Sequence, residues 1–319
     1  MHANYIPPKR KTKVVFVQLG SPEAPTPKAL RKYLRNFLGD PRVIDIPAWK
    51  WKIILNCFVL PFRPAKSAKL YERIWDGKSF PLITNTANFT ESVREELKKI
   101  DPEGYVEVNH AFLLSPPYVN EVYDSWEEDL KNNVGATKLM VIPMFPQYSE
   151  STIASGVDAL AKELSKRVKI PTFEVITNFH RTHAFIDNSV TQLDAKVKEL
   201  SDQGTKVDKL VISFHGMQKR RVVFKGDDYY RHCYETYRLI VDRLKHFKPE
   251  QTVMTFQSRF GREEWITPYT EKVVENLIGE GHKQLMIYSP SFVADCLETT
   301  DELGHELAEE AKEWGGNVY

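Results

Sequence analysis

Short apolar runs alternate with longer helical patterns along this chain, and that alternation constrains its fold more than any other feature. The runs occupy residues 14–19, 105–112, 138–145, 172–176, 209–214, 253–257 and 284–288, with helix-period stretches such as residues 27–38 between them. Strands separated by helical crossovers pair in parallel, so the pattern predicts an α/β protein built on parallel sheets. The order of events also repeats. Leu139-Met140-Val141-Ile142 and Leu285-Met286-Ile287-Tyr288 share residues, and each opens into a Pro- and Ser-containing turn with a helix behind it. We therefore expect an internal duplication, two copies of one α/β unit, divided at residues 13–189 and 190–319. Ligands of open parallel sheets bind beyond the carboxyl ends of the strands. Two facing copies would gather Gly20, Gln147, His215, Arg259 and Glu298 around one cleft between the halves.

Chemistry concentrates in the second copy. Residues 289–303 form a strand-to-helix turn, and Glu298, Glu302 and Glu306 recur every four residues, with Asp295 one turn before them. On a helix they make one acidic ridge. Such a ridge is either a solvated helix face or a track for a cation. His215 ends a strand in Ile212-Ser213-Phe214-His215-Gly216, where the glycine lets the backbone turn sharply. It is either a packed, hydrogen-bonded histidine or a catalytic one. An imidazole beside a carboxylate suits a borderline divalent metal, or base chemistry near neutral pH.

Composition excludes several classes. The net charge of +1 leaves no basic excess for a nucleic-acid partner, and the chain has neither Gly-x-Gly-x-x-Gly nor Gly-x-x-x-x-Gly-Lys. Its three cysteines, Cys57, Cys233 and Cys296, form no Cys-x-x-Cys pair, which suits a reducing compartment and offers no thiolate metal site. Residues 1–13 are polar and basic without the apolar stretch of a signal peptide, so a cytoplasmic protein is expected. Residues 49–62 are the most apolar stretch but too short to span a bilayer. Trp and Lys interleave there, predicting either peripheral contact with a membrane surface or a helix buried under a loop.

Six motifs in one order carry a resemblance. They are Gln18-Leu19-Gly20-Ser21-Pro22-Glu23-Ala24-Pro25-Thr26-Pro27, Phe37-Leu38-Gly39-Asp40-Pro41-Arg42-Val43, Pro146-Gln147-Tyr148-Ser149-Glu150-Ser151-Thr152, Ser213-Phe214-His215-Gly216, Thr255-Phe256-Gln257-Ser258-Arg259-Phe260-Gly261-Arg262-Glu263 and Ala294-Asp295-Cys296-Leu297-Glu298-Thr299. Together they resemble bacterial ferrochelatases, of the branch acting on protoporphyrin IX. The resemblance implies two Rossmann-like halves with their last strands exchanged, and a lyase that inserts ferrous iron into protoporphyrin IX with release of two protons. It assigns iron coordination and removal of the pyrrole protons to His215 and Glu298, and a metal or proton path to Asp295, Glu302 and Glu306. It places Leu19, Arg63, Tyr71, Tyr148, Ser149 and Trp265 against the porphyrin, with a lip at about residues 49–82. Trp265 on its own reads as a pocket wall or as an ordinary core aromatic. Residues 49–62 are expected to be only partly buried and to cover the mouth of the pocket.

The chain also departs from the family pattern. Gln218 replaces a proline after His215, which implies a less rigid loop, and Phe112-Leu113-Leu114-Ser115-Pro116-Pro117 replaces a tyrosine-containing turn. Ser79-Phe80-Pro81-Leu82 stands where Gly-Ser-Pro-Leu is usual, and the chain ends at Tyr319, so the terminal strand and helix are expected to be exchanged or truncated. No cysteine lies beyond Cys296, so no iron–sulfur cluster and no resident cofactor are expected. The partners are protoporphyrin IX and ferrous iron, with the chain a monomer. Competing readings are a cobalt or nickel chelatase of the same fold, and a non-enzymatic porphyrin or haem carrier.

Overall fold

The seven apolar runs, joined by residues 317–318 near the end of the chain, form two four-stranded sheets in the computed structural model, which describes residues 11–131, 136–261 and 263–319. The first contains β1 (Lys11–Gln18), β2 (Val106–Phe112), β3 (Ala136–Pro143) and β4 (Thr172–Val175), in the order β2-β1-β3-β4. The second contains β5 (Lys209–His215), β6 (Thr252–Gln257), β7 (Gln284–Tyr288) and β8 (Asn317–Val318), in the order β6-β5-β7-β8. Every pairing is parallel. Adding four to each strand number turns one order into the other, so the duplication expected from the sequence is visible as topology. These are two Rossmann-like halves.

The chain divides into two compact units, one comprising residues up to Met144 with Glu150–Thr177, the other Phe145–Ser149 with Asn178–Tyr319. This moves the division away from residue 190, and the reason is local. Residue 190 sits inside the helix His183–Asp202, whose Ile186, Val190 and Leu193 pack in one core with Leu210, Ile212 and Phe214 of β5. Each sheet draws its strands from one stretch of chain, and β8 pairs with β7 of its own sheet, so neither sheet shows the exchanged last strand.

β5 is buried along most of its length and alternates cleanly. Leu210, Ile212 and Phe214 enter the core just named, while Val211 packs on the other face against Leu303, Leu307 and Ala311. Each such side chain contributes roughly 1.5–3 kcal/mol on burial. The helix bearing the glutamates is not the α-helix that four-residue spacing suggests. Glu298–Leu307 is π-helical and passes into an α-helix at Ala308–Glu313. Hydrogen bonds to the fifth residue put slightly more than four residues in a turn, so the glutamates still stack, and such segments concentrate at functional sites.

In the first unit, residues 48–73 form α-, π- and α-helical segments, Ala48–Ile54, Leu55–Val59 and Leu60–Arg73. Leu55 and Leu60 are buried, but Trp49, Phe58 and Phe62 are 66, 65 and 69 % exposed. The segment is therefore only partly buried, and the alternative of a helix buried under a loop does not hold.

Candidate active site

Strand alternation decides where His215 points. Residues 211, 213 and 215 share the face of β5 on which Leu303 and Leu307 pack, so the imidazole emerges on the side of the glutamate helix. Its backbone is fixed from two directions. The His215 N–H donates to Ser291 Oγ at 3.3 Å, and the Gly216 N–H donates to the Gln257 carbonyl at 2.8 Å. The Nδ1–H donates to the Gly216 carbonyl at 2.7 Å, because a carbonyl can only accept. In the neutral ring this leaves the Nε2 lone pair for a metal or a proton. Phe292 meets the ring edge-on at 6.1 Å.

The loop behind His215 is held despite Gln218. Its φ of −61° is one a proline would adopt, and backbone bonds from Ile266 N–H to the Met217 carbonyl and from Lys219 N–H to the Glu264 carbonyl, both 2.9 Å, tie it down. Trp265 is buried against Gly216, with its indole N–H on the Phe260 carbonyl at 2.9 Å. It braces the turn that carries His215.

Glu298 and Glu302 are half-buried, whereas Asp295 and Glu306 are exposed. Gln257 Nε2 donates to the Glu298 carbonyl at 3.0 Å, joining the end of β6 to the start of the π-helix. Glu302 is gripped more firmly. Ser258 donates its N–H to one carboxylate oxygen at 2.7 Å and its Oγ–H to the other at 2.5 Å. Ser258 does this at φ 63°, a left-handed conformation uncommon outside glycine, of the kind that concentrates where function requires strain. Burial pushes the Glu302 carboxyl above the usual range, and Glu298 adds to this, against the opposing pull of the Ser258 bonds and of His215. The row continues at exposed Glu310, which burial and its neighbours Glu271, Glu306 and Glu313 also raise. Asp295 accepts a bond from Thr299 Oγ1 at 3.0 Å. Sequence reasoning missed the Ser258 clamp because serine gives no signal of a left-handed backbone. Burial pushes the Cys296 thiol well up, aided by Glu298.

The other expected residues fall in their own units. In the second, Tyr148 is half-buried, Ser149 is buried, and exposed Arg259 lies 4.9 Å over the Tyr269 ring. In the first, half-buried Leu19 accepts the Leu114 N–H at 2.9 Å beside Gly20, whose φ of 92° and close approach to Ser115 leave no room for a Cβ. Residues 113–115 thus close on the end of β1 through backbone and serine contacts. Tyr71 meets Tyr33 and Phe80 edge-on at 6.2 and 5.3 Å. Burial lowers Arg63 below the usual guanidinium value. Among the described residues no three His, Cys, Asp or Glu side chains stand ready to hold a metal ion.

A family profile described as Ferrochelatase matches residues 11–319. The chain belongs to the ferrochelatase family. Curated relatives named Ferrochelatase include one from Idiomarina loihiensis, 40 % identical over 309 residues, covering 97 % of this chain and 82 % of the relative. Another, from Marinobacter nauticus, is 38 % identical over 306 residues, covering 96 % and 80 % of the two chains. A third, from Actinobacillus pleuropneumoniae, is 38 % identical over 309 residues, covering 97 % and 91 %. Membership of the ferrochelatase family makes the chain an enzyme of the lyase class, and it gives the imidazole and the carboxylate row a reaction to be measured against.

Proposed function

We propose that this ferrochelatase-family enzyme completes haem synthesis by inserting ferrous iron into protoporphyrin IX, with His215 and Glu298 as the reacting pair. The observation that carries this reading is the bond from His215 Nδ1 to the Gly216 carbonyl, which leaves Nε2 unengaged on a ring that emerges on the face of β5 where the glutamate helix packs. Metal insertion requires two pyrrole protons to leave and the incoming ion to shed water. Nε2 supplies a nitrogen donor or base, and the Glu298 carboxylate supplies an oxygen that replaces water on the ion. Glu302, raised by burial, holds a proton more readily than an ordinary carboxylate, which suits it to accept protons passing towards Glu306 and solvent. Its clamp by Ser258 keeps it in place while charge moves past.

Leu19, Arg63, Tyr71, Tyr148 and Ser149 bind the macrocycle in this reading. Trp265 contributes from behind the His215 turn. This reading invokes no resident cofactor. The chain acts as a monomer in the cytoplasm and touches a lipid surface through Trp49, Ile53, Phe58 and Phe62, with Lys50 and Lys52 beside them. No helix among the described residues is long and apolar enough to cross a membrane. Interleaved Trp and Lys on an exposed helical face instead suit the headgroup region, where an apolar substrate and product would be exchanged.

The test is anaerobic incubation with ferrous iron and protoporphyrin IX. Repeated conversion of free-porphyrin absorption to that of haem is expected. A single stoichiometric spectral shift would indicate a carrier. Turnover confined to cobalt or nickel with another tetrapyrrole would replace the substrate assignment.

A further inference from the structure

One face of the helix Tyr229–Val241 holds two parts of the site together. Gln147 Nε2 donates to Thr236 Oγ1 at 3.1 Å and approaches the Pro290 carbonyl at 3.3 Å. One turn earlier on the helix, His232 Nδ1 accepts the Tyr148 N–H at 3.1 Å. Earlier again, the Tyr229 hydroxyl lies 3.1 Å from Ser291 Oγ, which accepts the His215 N–H. Residues three and four apart lie on one side of a helix, so positions 229, 232 and 236 set both the His215 backbone and the 147–148 turn.

His232 is a buried ring in a built environment. It is 4 % exposed and stacks on His180, 1 % exposed, with ring centroids 3.9 Å apart and planes 17° apart. His180 Nε2 is 2.8 Å from the Glu235 carboxylate and so carries its proton there. A backbone N–H can only donate, so His232 Nδ1 is unprotonated and the neutral ring carries its proton on Nε2; the 3.3 Å approach of the Arg231 guanidinium to Nε2 is then a contact between two donors and not a hydrogen bond. The groups facing the stacked pair are Asp228 at the N-cap of the helix, Arg231 and Glu235 from the helix itself, and Arg181 from the segment before the helix His183–Asp202. Burial, then His180 and Arg231, holds His232 down to about 4, so Nδ1 remains an acceptor throughout the neutral range.

We propose that His232 is a positioning residue for the porphyrin: its Nδ1 fixes the Tyr148 amide, and through it the Tyr148-Ser149 turn, against the macrocycle. This rests on the reading that Tyr148 and Ser149 bind porphyrin. The ring does not touch the reacting atoms. It acts by removing freedom from a turn that would otherwise be ordered at the expense of substrate affinity.

The test uses the two amides. Asn carries its oxygen at the position of Nδ1, whereas Gln carries it near Nε2. His232→Ala should raise the porphyrin KM about fivefold, the equivalent of one net hydrogen bond, with kcat changed much less. His232→Asn should restore KM to within about twofold of wild type while His232→Gln does not. Equal impairment by Asn and Gln, or an unchanged KM in Ala and Gln, would overturn the proposal. Should the substitutions impair folding, nitrogen-15 NMR of the wild-type histidines decides it: Nδ1 of His232 is expected as an unprotonated acceptor at neutral pH, and a proton found there contradicts the clamp. Tyr148→Ala serves as the separate control. If it leaves porphyrin affinity unchanged, the underlying reading of the turn fails; if it weakens affinity while His232→Ala does not, only the role of His232 fails.

Discussion

Gly216→Ala should displace His215 from its working position while leaving most of the protein intact. A Cβ at residue 216 would lie 2.6 Å from the Gln257 carbonyl oxygen and 3.0 Å from the Trp265 ring. Neither neighbour yields easily. The oxygen already accepts the Gly216 N–H at 2.8 Å, and Trp265 is buried with its N–H on Phe260. The 215–216 backbone must therefore move, and the Gly216 carbonyl that orients the imidazole moves with it. Overpacking costs about 1–3 kcal/mol and a weakened hydrogen bond about 0.5–1.5 kcal/mol. At about 2–4 °C per kcal/mol, the melting temperature should fall by several degrees. Turnover should fall much further, because a shift of about 1 Å in a reacting group can cost about a hundredfold. Thermal unfolding and steady-state haem formation, measured side by side, check both parts. An alanine variant with wild-type melting temperature and wild-type kcat would refute the claim that Trp265 and the end of β6 restrain this turn.

Ser258→Ala should remove one charge-assisted bond to Glu302, worth about 1.5–3 kcal/mol, and lower kcat more than it changes porphyrin affinity, as steady-state kinetics would show. Glu302→Gln should grow more stable relative to wild type as pH rises above about 4.5: a raised folded pKa means that ionising the buried carboxyl costs stability, which denaturant titrations at several pH values would read. The neutral His180–His232 stack has the opposite sign. Its depressed values mean that stability is lost as pH falls from about 6.5 towards about 4, with the slope reduced in His232→Asn. Replacing Trp49, Phe58 and Phe62 by serine should abolish co-flotation with anionic vesicles while leaving turnover on detergent-dispersed porphyrin intact.

The sheets were readable because strand and crossover patterns are local, and seven of the eight strands fall on the apolar runs; the two-residue edge strand β8 is too short to leave such a pattern. The division between the units was not readable, since it depends on Gln147 and Tyr148 bonding to residues more than eighty positions away. For the site, the strand-end histidine and the four-residue glutamate spacing led to the end of β5 and to the helix Glu298–Leu307, whose Leu303 and Leu307 share a core with Val211 of β5. The spacing could not distinguish π from α geometry, because four residues nearly complete a turn in both. Ser258 and His232 escaped notice for a different reason. One acts through a backbone conformation and the other through an acceptor nitrogen for a distant amide, and neither leaves a periodic trace.

In the function proposed here, His215 carries out metal insertion without being needed to hold the porphyrin. Single-turnover mixing of ferrous iron with protoporphyrin IX pre-bound to His215→Ala, followed by loss of porphyrin fluorescence, addresses it directly. We predict that the variant binds porphyrin with an affinity close to wild type and shows no insertion on the wild-type timescale, with Glu298→Gln behaving likewise and Glu306→Gln only mildly slowed. Insertion by His215→Ala at a rate near wild type, or Glu306→Gln as damaging as Glu298→Gln, would contradict the account.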